Sequence, residues 1–302
     1  MAFNNLEYAA LFQQELDKQV LQEATTGWME LNAGQIKYNG GAEIKIPEIY
    51  TQGLGDYDRD DGFVRGVVNF KYQTYKMTQD RGRKFRLDRN DVDETNFGIV
   101  AANVMSEFQR TQVIPEIDSY RYSKLAGFAD VRKENFTPTA ANVFEALKEH
   151  IYTLADISGD SSELVVSMSY PVYSILNSSD EISRHIDVAD FAQGEANFRV
   201  RMLDGVPIIP VTSSRMKTKY VSYDGVSSGQ EQGGLAVADD AKDINWIICP
   251  RVAPIAVSKT DYMKIISPEV NQSADSWDVF YRKYHELFVP EQKRKVVAVC
   301  TK

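Results

Sequence analysis

The chain has 302 residues, 43% hydrophobic, 11% aromatic and 25% charged, a folded-protein profile long enough to bury about 75% of its unfolded surface. Thirty-four Lys and Arg against 43 Asp and Glu leave a net charge of −9, which excludes a generally basic nucleic-acid binder while allowing a local basic patch. Two distant cysteines, Cys249 and Cys300, exclude a disulfide framework and Cys-x-x-Cys chemistry, so reduced thiols and cytoplasmic synthesis are expected.

Met1 to Glu7 has no basic stretch and no uninterrupted apolar run follows, so no secretory signal is read there. No apolar run approaches the ~20 residues of a spanning helix, and no membrane association is expected. Without secretion, the glycosylation patterns at Asn177 and Asn271 carry no meaning.

Residues 1–31 read as an arm with some helix, from the loose spacing of Leu6, Ala10, Leu16 and Val20. Residues 34–50 read as short strand and turn, punctuated by Gly40-Gly41. Alternation from Val67 to Tyr75 predicts a strand, Gln79 to Gly82 a turn, and Lys84 to Asp88 a second strand. That hairpin is too poor in large aliphatic residues to form its own core, so it needs something to lie on.

Asp91-Val92-Asp93-Glu94 fits a capping box, and Phe97, Val100, Ala101, Val104 and Phe108 follow at helical spacing. The prediction is one helix of roughly 30 residues to about Leu125, kinked at Pro115. Thr137-Pro138 predicts the start of another helix, with Val143, Leu147, Ile151 and Leu154 buried and Ser158-Gly159 as its end. Leu164 to Met168 reads as a buried strand, followed by a short helix from Pro171. Gly205 to Val211 reads as an edge strand because of its prolines. Residues 222–241 form a Gly/Ser/Asp-rich loop, and Ile244 to Ile248 and Ala253 to Ile266 return to strand. Trp277 to Val289 suits either helix or strand, and its aromatic content favours strand.

No catalytic constellation stands out. Gly225-Val226-Ser227-Ser228-Gly229 matches the nucleophile-elbow pattern, but the sequence after it cannot start a firm helix. Asp56 to Gly62 begins like a calcium loop, yet Asp61 stands at the turn glycine and Val67 at the bidentate glutamate. His150, His185 and His285 are isolated, and Val289 replaces the second histidine of a zinc helix. No cofactor and no metal are expected. Arg81, Arg83, Lys84, Arg86 and Arg89 place five cations in nine residues of the predicted hairpin. They read either as a solvated edge or as a charge-assisted contact with a neighbouring subunit's acids.

The order of these segments resembles tailed-bacteriophage major capsid proteins. The similarity runs through Gly40-Gly41-x-x-Ile44-Lys45-Ile46-Pro47, Gly53-Leu54-Gly55-Asp56-Tyr57-Asp58-Arg59 and Asp80-Arg81-Gly82-x-x-Phe85-x-Leu87-Asp88. It continues through Asp91 to Thr95 and Glu107 to Asp118, and ends at Tyr281 to Val289. The resemblance implies an α+β Hong Kong 97-like capsid fold: an N-terminal arm (1–35), an extended loop (53–92) and an axial domain (131–245). A peripheral domain with the spine helix would take 36–52, 93–130 and 246–302. Lys84 lies near the expected loop tip, but no Asn or Glu partner for a crosslink is identifiable.

The function implied is a non-enzymatic shell protein that self-assembles through pentamers and hexamers into an icosahedral head around double-stranded DNA. It would be assembled in the host cytoplasm and reside in the virion. The extended loop opens too early to leave room for a fused scaffold, so a separate scaffolding protein or none is expected, with portal and decoration proteins as further partners. An encapsulin-like nanocompartment is the related alternative; a soluble hydrolase using Ser227 is the alternative from another class.

Overall fold

The computed structural model describes residues 24–35, 37–38, 43–60, 62–88, 104–161, 163–179, 186–193 and 196–302. Residues 1–23 of the expected arm, the capping box at Asp91, Arg89 and His185 lie outside them, while Gly27–Gln35 of the arm form a 3-10 helix.

Sequence blocks that are apolar at most positions build the middle of the central sheet. It has seven strands in the order β5 (Val131–Lys133), β15 (Ala298–Thr301), β12 (Ile244–Pro250), β6 (Leu164–Ser169), β9 (Val206–Val211), β8 (Ala196–Leu203) and β7 (Ile186–Gln193). Alternate residues of the central strands serve two cores, as expected for a sheet covered on both faces. Trp246, Ile248, Val166 and Ile208 face α2 (Val143–Ser158) and α3 (Tyr170–Asn177). Ile247, Val165, Ile209 and Val299 face Trp28, Met29 and the C-terminal half of α1 (Ile114–Phe128).

The N-terminal half of α1 packs elsewhere. Val113, Ile114 and Ile117 meet Met263, Val279 and Tyr281 on a three-stranded antiparallel sheet. Its strands run β13 (Ile255–Ile266), β14 (Ser276–Phe288), β4 (Gln79–Asp88). Strand is therefore the outcome for the ambiguous Trp277–Val289 segment. A third sheet contains β1 (Lys37–Tyr38), β2 (Glu43–Thr51) and β3 (Val68–Lys76).

Several expectations are corrected. The hairpin predicted at 67–88 does not form: β3 pairs with β2 over nine residues, while β4 pairs with β14 over ten. Residues 79–82, read as a turn, are the start of β4. The reason is long-range: a Cβ on Gly82 would lie 2.7 Å from the Tyr281 carbonyl oxygen, so this glycine permits a close strand approach. The spine helix carries a π turn, Gln109–Val113, closed by the Ile114 N–H to the Gln109 carbonyl. Pro115 follows directly, inside a helix that runs on from residue 104, so the π turn sits where the proline's missing N–H interrupts the regular hydrogen-bond ladder.

The helix expected from Pro138 begins at Val143, because Asn142 ties Thr137 to Thr139 in a turn ahead of it. Its end is as expected, with Gly159 left-handed at φ 79°. The strand expected at an edge, β9, lies inside the sheet between β6 and β8. Its prolines are accommodated because each is paired on one side only: Pro207 with Met202 of β8, Pro210 with Met168 of β6. Finally, β12 and β15 belong to the seven-stranded sheet, so the boundary drawn at residue 246 cuts through a core strand.

Candidate assembly interface

Beyond Glu48 the β2–β3 ribbon leaves the body of the molecule. Near its base the inward side chains Ile44 and Ile46 are buried against Met77, Ile255, Val257 and Phe288. The outward face starts polar, with Glu43 opposite Lys76 and Lys45 opposite Thr74. It then turns apolar: Pro47 faces Tyr72, Ile49 faces Phe70, and Thr51 faces Val68. Ile49 is 54% exposed and Phe70 65% exposed. Ten of the twenty exposed large apolar side chains among the described residues lie within residues 49–72, so the apolar exposure is concentrated rather than scattered.

The distal end is ordered by its own contacts. Asp58 and Gly62 exchange two backbone hydrogen bonds, 3.1 and 2.9 Å, and the Asp60 N–H donates to the Asp58 carboxylate. The rings of Tyr57 and Phe63 meet edge to face at 4.9 Å. Leu54 is fully exposed and Phe63 87% exposed, so the ribbon presents an apolar knob to solvent. These bonds also explain the calcium-like pattern, since the Asp58 carboxylate serves the turn; no cluster suited to a metal occurs among the described residues.

The ribbon's elbow, Met77-Thr78, is pinned by one carboxylate. Glu286 accepts from the Thr78 N–H at 3.0 Å and Thr78 hydroxyl at 2.6 Å, and also from the Tyr120 hydroxyl. Burial, then the bond to Glu286, push the Tyr120 hydroxyl pKa well up.

The cations expected at a hairpin tip stand along β4 instead, and those described have partners in their own chain. Arg81 donates to Glu116 on α1 at 2.6 Å and to the carbonyls of Tyr223 and Gly234 at 3.0 Å each. Arg83 donates to the Glu231 carbonyl at 3.2 Å. Lys84 and Arg86 both pair with the buried Asp278, at 2.6 and 3.1 Å. Within the subunit these cations are thus compensated by their own chain. No sequence signal could have found this compensation, because Asp278 lies almost two hundred residues away.

Comparison with solved structures bears on this architecture. One relative is a chain in the capsid structure of cyanophage P-SCSP1u, with a TM-score of 0.58 and 9% identity, covering 86% of this chain and 83% of that one. Another, in the mature capsid asymmetric unit of bacteriophage PhiM1, has a TM-score of 0.56 at 12% identity, covering 87% and 82%. A chain from Mycobacterium phage Che8 has a TM-score of 0.53 at 12% identity, covering 93% and 89%. The chain has the Hong Kong 97-like fold. No family model and no curated protein matches the sequence.

Within the Hong Kong 97-like fold the remaining chemical candidates have structural duties. Ser227 donates to Asp224 at 2.5 Å, and that bond, with the Val226 and Ser227 amides, holds the Asp224 carboxyl down at about 2. β10 (Tyr220–Ser222) precedes this loop and the short strand β11 (Leu235–Val237) follows it, so the helix of a nucleophile elbow is replaced by a ribbon. Cys249 and Cys300 are buried, and burial pushes their thiols up to about 12 and about 11. His150 accepts a hydrogen bond from the Trp246 indole at 3.2 Å inside the core.

Proposed function

We propose that this chain is a major capsid protein, which self-assembles into the icosahedral head shell of a tailed bacteriophage around double-stranded DNA. The observation that carries the reading is the β2–β3 ribbon, whose distal outward face is apolar and uncovered within the subunit. A two-stranded ribbon is at best marginally stable alone, so its natural cover is a second copy of the chain. The P-SCSP1u and PhiM1 structures are of phage capsids, which supports the same reading.

On this reading the extended loop is 43–76 rather than 53–92, and the three-stranded sheet with the first half of α1 is the peripheral domain. The seven-stranded sheet with α2 and α3 is the axial domain. Lys84 and Arg86, 41% and 47% exposed at the side chain, retain an outward face on which a neighbour's acids can add to Asp278. The net charge of −9 supports loose DNA contact without base readout. A separate scaffold, a portal and decoration proteins would complete the head. The function is structural rather than enzymatic, exercised in the virion after assembly in the host cytoplasm.

Electron microscopy and size-exclusion chromatography of the purified chain, with and without a phage scaffold, test this. Pentamers, hexamers or closed shells are the expected result. A strict monomer across salt and protein concentration, with scaffold supplied, would overturn it. Shells that select an enzyme cargo would establish the encapsulin-like alternative instead.

A further inference from the structure

The loop 223–234 is tied to itself more than to its surroundings. Asp224 receives the Val226 and Ser227 amides at 2.8 Å each, and the Gln230 N–H donates to the Ser227 carbonyl at 2.8 Å. The Gly233 N–H closes onto Gln230 at 2.9 Å, and the Tyr223 N–H onto Gly234 at 3.0 Å. None of its twelve residues is buried, and Val226 points out to solvent.

Its connection to β4 is made by two arginines. The Arg81 guanidinium reaches both ends of the loop, the carbonyls of Tyr223 and Gly234, while remaining anchored to Glu116 on α1. Arg83 enters between Gly225 and Gly233: a Cβ on either would lie 2.8 or 3.1 Å from its Nη1. Both glycines have positive φ, +75° and +67°, so this slot needs residues without side chains. Beneath lies a cavity of about 620 Å³, lined by Phe85, Phe108, Ile117 and Tyr281 on its apolar side. The loop is therefore held along the edge of an unfilled space by directional polar bonds, with only Tyr223 among its large apolar side chains reaching the cavity.

We propose that residues 223–234 are a strap, closed along the edge of this cavity by Arg81 and Arg83 as pegs, which reversibly clasps the β10–β11 ribbon to the three-stranded sheet. Opening breaks the peg bonds and leaves both main cores untouched, the condition for local opening far below the cost of global unfolding. The strap thus forms one wall of this open cavity and one tie between the two halves of the subunit.

Amide hydrogen exchange on the full, unassembled chain tests this. The variant Arg81→Gln with Arg83→Gln is expected to speed exchange in 223–234 at least tenfold, with β6 and β12 protected as in the wild type. Arg83→Gln alone keeps the Glu116 anchor and is expected to give a smaller rise confined to the same loop. Arg86→Gln, whose partner is Asp278, is expected to leave the strap unchanged. Unaltered exchange in 223–234 in both peg variants would overturn the proposal. So would a rise shared equally with β6, which would mean that the arginines serve global stability.

Discussion

Ile49 stands directly opposite Phe70 on the outward face of the β2–β3 ribbon, and both rows of that face continue into apolar neighbours. Neither side chain has a core to join in its own subunit. Replacing both with Ser should leave folding stability within about 0.5 kcal/mol, as for surface sites. The same double variant should lose particles or form them only at higher concentration. Sedimentation velocity with a urea melt checks both halves; normal particles would remove the ribbon from the interface.

Asp118 is fully buried on α1 and gathers the Thr25 and Thr26 amides, both hydroxyls and the Arg215 guanidinium. Asp118→Ala should cost about 3 kcal/mol, near the low end for a broken buried pair because Arg215 keeps some solvent access. The segment 24–35 should become protease-sensitive first. A urea midpoint close to wild type would contradict this.

Lys84 and Arg86 share the buried carboxylate of Asp278. Reversing both to Glu places like charges beside it, and should destabilise the isolated subunit by about 2 kcal/mol, less than a fully buried pair because the cations are half exposed. Chemical denaturation of unassembled protein measures this. An unchanged midpoint would mean that these cations act on neighbours alone.

Burial lowers the pKa of both His150 and His285, with the cations Arg121, Lys283 and Arg81 adding to the effect at His285. Both are therefore neutral in the fold, whereas in the unfolded chain they take a proton near pH 6.5. Stability should be fully present above about pH 6.5 and fall as pH drops toward 5. Glu30 and Asp80, held below the ordinary carboxylate range, add their loss only under about pH 4.5. His150→Gln, which retains an acceptor for the Trp246 indole, should reduce the slope between pH 6.5 and 5 to the part that His285 contributes. Urea midpoints at pH 7.5, 6.0 and 5.0 decide it.

Local signals were legible wherever one face or one cap decides an element. The apolar spacing of Val143, Leu147, Ile151 and Leu154 with Gly159 marks α2 and its end, and the run Leu164 to Met168 marks a strand buried on both faces. Aromatic content favoured strand for the segment that forms β14. The sequence by itself therefore determined most element types, the absence of an obvious catalytic motif, and a segment order that resembles phage coat proteins. Only the tertiary structure decided which strands pair. The segment before Gln79 and the segment after it suit a local hairpin, yet each gains more by pairing elsewhere: β3 with β2, and β4 with β14 across the Gly82–Tyr281 approach. That choice brought the cations within reach of Asp278, Glu116 and the strap, and left Ile49 and Phe70 exposed. Periodicity and capping act over a few residues, whereas strand pairing and charge compensation depend on groups tens of residues distant, as for β2–β3 and Arg81–Glu116, or nearly two hundred, as for β4 and Asp278.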